Sequence, residues 1–125
     1  MGWLTKKDKS PPSGPDFSGV DSQAKAEELA RRGDLHKLYM MPLELGGEEV
    51  TANMVYVPAF VVELKRNIDL NIVLPLVEQQ KVKRYSAQAQ YEGKSFVPCA
   101  IQIVASDPSD FETVINIWGE ALKEK

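Results

Sequence analysis

The sequence predicts an α+β fold, a mainly antiparallel sheet with helices packed on it, and three observations carry that prediction. Between Tyr85 and Ile103 apolar residues recur with period two on either side of "EGK", the pattern of a β-hairpin. Three other segments, near 22–33, 59–80 and 109–122, space apolar residues by three or four positions and carry helix start or stop signals. The runs "LHKLYMMPLEL" and "NMVYVP" are short, apolar and bounded by Gly and Pro, which fits buried strands better than helices.

In chain order, residues 1–19 concentrate Lys, Ser, Pro and Gly, a mix that buries too little apolar surface to offset ordering entropy, so a flexible N-terminal tail is expected before a single domain over 20–125. Asp21 or Ser22 can cap a helix through "SQAKAEELARR", with Gly33 placed to end it in the left-handed conformation. The apolar face of that helix is thin: Ala24, Leu29 and Ala30. From Ala59 to Gln80, Phe60, Leu64, Ile68, Ile72 and Leu76 are spaced by four, but Pro75 lacks an amide hydrogen and clashes with the preceding turn, so the helix should break or kink before it. In the hairpin, Tyr85, Ala87, Ala89 and Tyr91 share one face of the first strand. Val97, Cys99, Ile101 and Ile103 share one face of the second, and Pro98 places that end at a sheet edge or bulge. "SDFE" has the form of a capping box, Ser109 with Glu112, opening a C-terminal helix that would place Phe111, Val114, Ile115, Trp118 and Leu122 on one side.

Composition narrows the function classes. A formal net charge of -3 argues against sequence-independent nucleic-acid binding, which depends on Lys and Arg neutralising phosphates. Cys99 is the sole cysteine, so a monomer holds neither an intramolecular disulfide nor a multi-thiolate metal cage. No apolar run approaches the roughly 20 residues of a membrane span, and "MGWLTKKDKS" has no apolar secretory core. These points lead to the expectation of a cytoplasmic protein without cofactor, whose partner is another protein and neither nucleic acid nor membrane.

The candidate site residues are each set beside a plainer role. "LELGGEEVTANMVYVP", residues 43–58, reads as a glycine-rich turn between two buried strands: Gly46 and Gly47 permit positive φ, and Asn53 tolerates the same geometry at the turn's exit. Because loops on a rigid scaffold often carry function, Gly46, Gly47, Glu48, Glu49 and Asn53 form a candidate binding loop. Trp3, a large aromatic in a solvated tail, is a candidate anchor for a partner or a strap across the surface. His36, the single histidine, lies in an apolar strand with no nucleophile motif beside it and reads as a strand-face residue. Cys99, beside Ile101, reads as a small buried hydrophobe. Glu27 and Glu28 read as a solvated helix face, and Asp107 and Asp110 as acids favoured at a helix N-terminus. "KVKR" at 81–84 is the one basic cluster, a solvated strand start or a patch for an acidic partner.

The order of parts in "LGGEEVTANMVYVPAFVVELKRNID" and "LVEQQKVKRYSAQAQYEGKSFVPCAIQI" resembles the C-terminal half of the DNA/RNA non-specific endonucleases of bacterial polymorphic toxins. The parallels are Gly46-Gly47, Asn53-Met54-Val55 with Pro58, the 59–80 region, Val82 to Tyr91, and Phe96 to Ile103. Where that family carries Asp-Arg-Gly-His, only His36 is available, and Lys65 falls near the position of its metal-holding Asn. The resemblance therefore implies a related scaffold without the nuclease chemistry. Three functions follow as expectations: a non-catalytic interaction module, of the immunity or regulatory type; a metal-dependent hydrolase using His36, Asn53 and Glu48 or Glu49; and a secretion adaptor or chaperone using the Trp3 tail.

Overall fold

A computed structural model describes residues 16–123. Within them the architecture is α+β, with two antiparallel sheets and helices packed on them. Helix α1, Gln23–Arg31, starts where Ser22 Oγ accepts the Lys25 amide at 3.2 Å, while Asp21 pairs with Lys25 on the surface. Its end is a Schellman motif: Gly33, at φ 87°, donates to Ala30 O, and the Asp34 amide reaches Leu29 O. Strands β1 (His36–Tyr39) and β2 (Met54–Val57) pair antiparallel, with Leu38 opposite Val55.

Helix α2, Ala59–Ile68, continues into a wider π-helical turn, Asp69–Val73, and then α3, Leu74–Glu78. The expected break before Pro75 takes this form. Pro75 has no N–H to give Asn71 O, and the chain relieves the clash by widening upstream, where the Leu74 amide reaches back five residues to Asp69 O.

The second sheet has the order β3-β4-β5: Arg84–Gln90, Ala100–Ser106 and Phe111–Asn116. Its inner face stacks Ala89, Ile101 and Ile115 in one row and Ala87, Ile103 and Thr113 in the next. The hairpin is present, but its connection is longer than "EGK". Tyr91, Val97 and Cys99 lie outside the strands, and residues 91–99 form a loop in which Pro98 is fully buried. Without an amide hydrogen, Pro98 cannot extend the ladder. The loop is held instead by Ser95 Oγ, which donates to Phe17 O at 2.8 Å and accepts the Val97 amide at 3.0 Å.

The expected C-terminal helix from 109 is instead strand β5. Phe111, Thr113 and Ile115 point inward and Glu112, Val114 and Asn116 outward. The β-branched Thr113, Val114 and Ile115 lose side-chain freedom in a helix, and the open edge of β4 offers the segment a full ladder. Ser109 and Glu112 form no capping box: the Ser109 amide donates to Lys81 O, and Glu112 accepts from Gln102 across the strands at 2.5 Å. Among the described residues beyond β5, only the short α4, Glu120–Lys123, is helical.

The main core gathers Leu35, Val57, Val61, Ile101, Ile103, Ile117 and Trp118 between sheets and helices. Trp118 donates its indole N–H to Val97 O at 3.0 Å and meets the Phe17 ring edge-on at 6.2 Å, so packing reaches back to Phe17, before the boundary that composition sets at residue 20. A smaller cluster of Val73, Val82 and Ala105 lies under the π-turn.

Candidate functional site

The Gly46–Asn53 stretch is built as a turn. Leu43–Leu45 is a single 3-10 turn closed by Gly46 at φ 99°, in the left-handed region. Gly47 is required for a different reason: a Cβ there would lie 1.9 Å from Met41 O. Asn53 is not left-handed, contrary to expectation, but ends a 3-10 turn, Thr51–Asn53. Its amide acts as a clasp. Oδ1 accepts the Met41 amide at 2.8 Å, and Nδ2 donates to Met41 O at 3.0 Å and Glu48 O at 2.9 Å. The side chain does the bonding work of a backbone ladder, and its polar atoms are occupied within the loop. Glu48 and Glu49 are exposed. Trp3 lies outside the described residues.

His36 is exposed on β1 and borders a shallow depression with Lys37, Ala59, Val62 and Glu63. Among the described residues no three of His, Cys, Asp or Glu come together to hold a metal ion, so His36, Glu48 and Glu49 are not assembled into one centre. Cys99 is buried, and burial together with Glu92 pushes its thiol above the usual range.

The polar cluster that sequence reasoning missed lies beneath α2. Lys65, 1% exposed, and Asp69, 4% exposed, form an ion pair inside the protein at 2.5 Å. Lys65 Nζ also donates to Tyr85 OH at 3.0 Å, and Tyr85 OH donates to the other Asp69 oxygen at 2.8 Å. Burial holds the Lys65 ammonium below its ordinary value, opposed by Asp69. Burial, reinforced by the Asp69 charge, raises the Tyr85 phenol far above its own. The outer side of Asp69 backs a cleft of about 240 Å³ that Lys37, Glu44, Arg66 and Leu70 also line. Both Asp69 oxygens are engaged, so the triad is a rigid tie between α2 and β3. A signal was available: Val61, Lys65, Asp69 and Val73 are spaced by four, an opposite-charge pair set within an apolar helix stripe.

The inversion has an outer counterpart. On the stripe spaced by four, Phe60, Leu64 and Ile72 are 43%, 45% and 41% exposed, while Ile68 and Leu76 pack against the apolar clusters. The helix turns its ion pair inward and these apolar side chains outward.

The two sheets also leave a groove between them. Each is hydrogen-bonded on one side only at β2 and β3, and these edges border a groove of about 500 Å³. Met40, Met41 and Met54 line one wall, and consecutive residues of β3 from Tyr85 to Ala89 line the other.

No family model, curated protein or solved structure matches the chain.

Proposed function

We propose that this protein is a non-catalytic protein-interaction module, an immunity-type or regulatory partner of another bacterial protein in the cytoplasm. The supporting observation is the outward apolar stripe of α2. Large apolar side chains left facing solvent beside an inward-facing ion pair cost solubility unless a partner covers them. Phe60 and Leu64 lie one turn apart and supply the large side chains that dominate helix-in-groove contacts. The net charge of -3 adds steering toward a basic partner, an effect on association rate that salt weakens.

Affinity capture from the native host with the full chain is expected to recover a protein with a basic surface beside an apolar groove. Leu64→Asp and Phe60→Asp should each weaken that complex by at least about tenfold, with thermal unfolding near that of the parent because both side chains already face solvent. A complex indifferent to both substitutions would remove the stripe from the account.

A further inference from the structure

We propose that the groove between β2 and β3 accepts an extended peptide strand with apolar alternation and acidic residues at one end, joining the two sheets through the inserted strand. This goes beyond the α2 reading and uses a different surface.

The backbone is the first argument. An edge strand has partners for every second residue, and the intervening N–H and C=O groups point away from its sheet. Here two such edges, β2 of one sheet and β3 of the other, border the same groove. Neighbouring residues on β3, Ser86, Ala87, Gln88 and Ala89, all border it, as do Met54 and Val55 on β2. Because alternate strand residues point to opposite faces, a cavity touching both sets runs along the strand edge itself. An added strand of about five residues, ~17 Å long, matches the Tyr85–Ala89 wall.

The side chains state what such a strand carries. Three of the four methionines in the chain, Met40, Met41 and Met54, line the groove. Unbranched, polarizable thioethers adapt to apolar side chains of differing shape. Ala87 and Ala89 are small and half-buried on the inner, core-packed face, while Ser86 and Gln88 ask for polar residues on the outer one. The alternation required of the ligand is thus apolar inward and polar outward.

Charge fixes the end group. The β3 edge begins beside Lys83 and Arg84, both exposed, and Arg84 has only a 3.6 Å contact with Asp107. Acidic residues at the matching end of the ligand complete this pair of cations. The same charges argue against the chain's own N-terminal segment, whose Lys6, Lys7 and Lys9 would meet like charge.

The probe is a fluorescent nonapeptide of alternating valine and threonine led by two glutamates, titrated into the full chain, with amide hydrogen exchange read in parallel. Saturable binding below about 1 mM is expected, with new protection at alternate amides within 84–90 and 54–57. A peptide led by two lysines, or the variant Lys83→Glu/Arg84→Glu, should weaken binding by about tenfold. Leu64→Asp should leave it unchanged, which separates this groove from the α2 surface. Absence of saturation, protection confined to α2, or equal affinity for the lysine-led peptide overturns the proposal. So does a concentration-dependent dimer that protects the same amides without peptide, since the occupant would then be a second copy.

Discussion

At the scale of single residues, the Lys65–Asp69–Tyr85 triad sets the most consequential behaviour. Removing water from two charges costs several kcal/mol per ion, and only close geometry with full hydrogen bonding offsets it. Lys65→Met leaves Asp69 charged and buried with Tyr85 as its remaining side-chain donor, so a loss of about 3 kcal/mol in urea unfolding is expected. Lys65→Met combined with Asp69→Leu should recover most of that loss, because apolar replacements of similar size remove the uncompensated charge. A single variant within about 1 kcal/mol of the parent would mean that the pair is solvated despite its position. Tyr85 adds a pH dependence of definite sign. The unfolded phenol ionises near pH 10, whereas the folded one keeps its proton above that value, so its contribution is fully present below pH 10 and is lost as pH rises. Lys65, shifted down, has the opposite sign but is spent once the unfolded lysine is neutral, near 10.5. Above that point the parent should lose about 1 kcal/mol per pH unit more than Tyr85→Phe. Equal slopes in denaturation at pH 10.5 and 11.5 would contradict the buried phenol. The triad was half legible from the chain: the four-residue spacing was visible, but which of two adjacent helix stripes faces inward was not. Phe60, Leu64, Ile68, Ile72 and Leu76 make the more apolar stripe, yet tertiary contacts bury Val61, Lys65, Asp69 and Val73 most deeply and take Ile68 and Leu76 from the first stripe.

Elements with short-range causes were read well from sequence, and those decided by a distant neighbour were not. Ser22 and Gly33 bound α1 through bonds within a few residues, and Pro75 forces a helix irregularity wherever the helix packs. The β3–β4 pairing followed from alternation alone. The segment 109–118 was ambiguous in itself. Phe111, Val114, Ile115 and Trp118 satisfy a helical period, while Phe111, Thr113, Ile115 and Ile117 satisfy a period of two. The free edge of β4, a partner that local pattern does not display, decides the outcome. The 41–53 turn offers a test at this scale. Gly47→Ala must displace Met41 O and should cost at least about 2 kcal/mol. Gly46→Ala, strained only in its dihedral angle, should cost about 1 kcal/mol. Asn53→Ala, which orphans the Met41 amide among other groups, should fall near 2 kcal/mol. If thermal melts rank Gly46→Ala as the worst of the three, the close approach at Met41 is not the controlling contact.

For the whole molecule, the question is whether two sheets behave as one unit. The main core draws on both sheets, and both apolar clusters include Ile68 and Tyr85 among their packed neighbours. Neither cluster can loosen without disturbing residues the other needs, so a single cooperative transition is expected, with far-ultraviolet dichroism and Trp118 environment changing at the same denaturant concentration. Separate midpoints would show that the β1–β2 layer and the β3–β5 layer melt independently. The same arrangement leaves on the surface the two features proposed for recognition: exposed apolar side chains along α2, and a groove bounded by strand edges. Of the residues marked in the sequence, Lys83 and Arg84 of the basic cluster flank the groove and Asn53 lines it, while Gly46, Gly47 and His36 do not. Loop glycines and a lone histidine draw attention in a sequence, whereas unpaired edges are defined only once strands have chosen neighbours.

The Asn53 clasp has a practical consequence. By fastening Met41 and Glu48 from a single amide, it works as a collar around the base of an excursion, so chain inserted past that collar, between Glu49 and Val50, hangs outside the load path of the sheets. An epitope or fluorophore-bearing cassette spliced there should leave the melting midpoint within about 2 °C of the parent, making that corner a built-in attachment point.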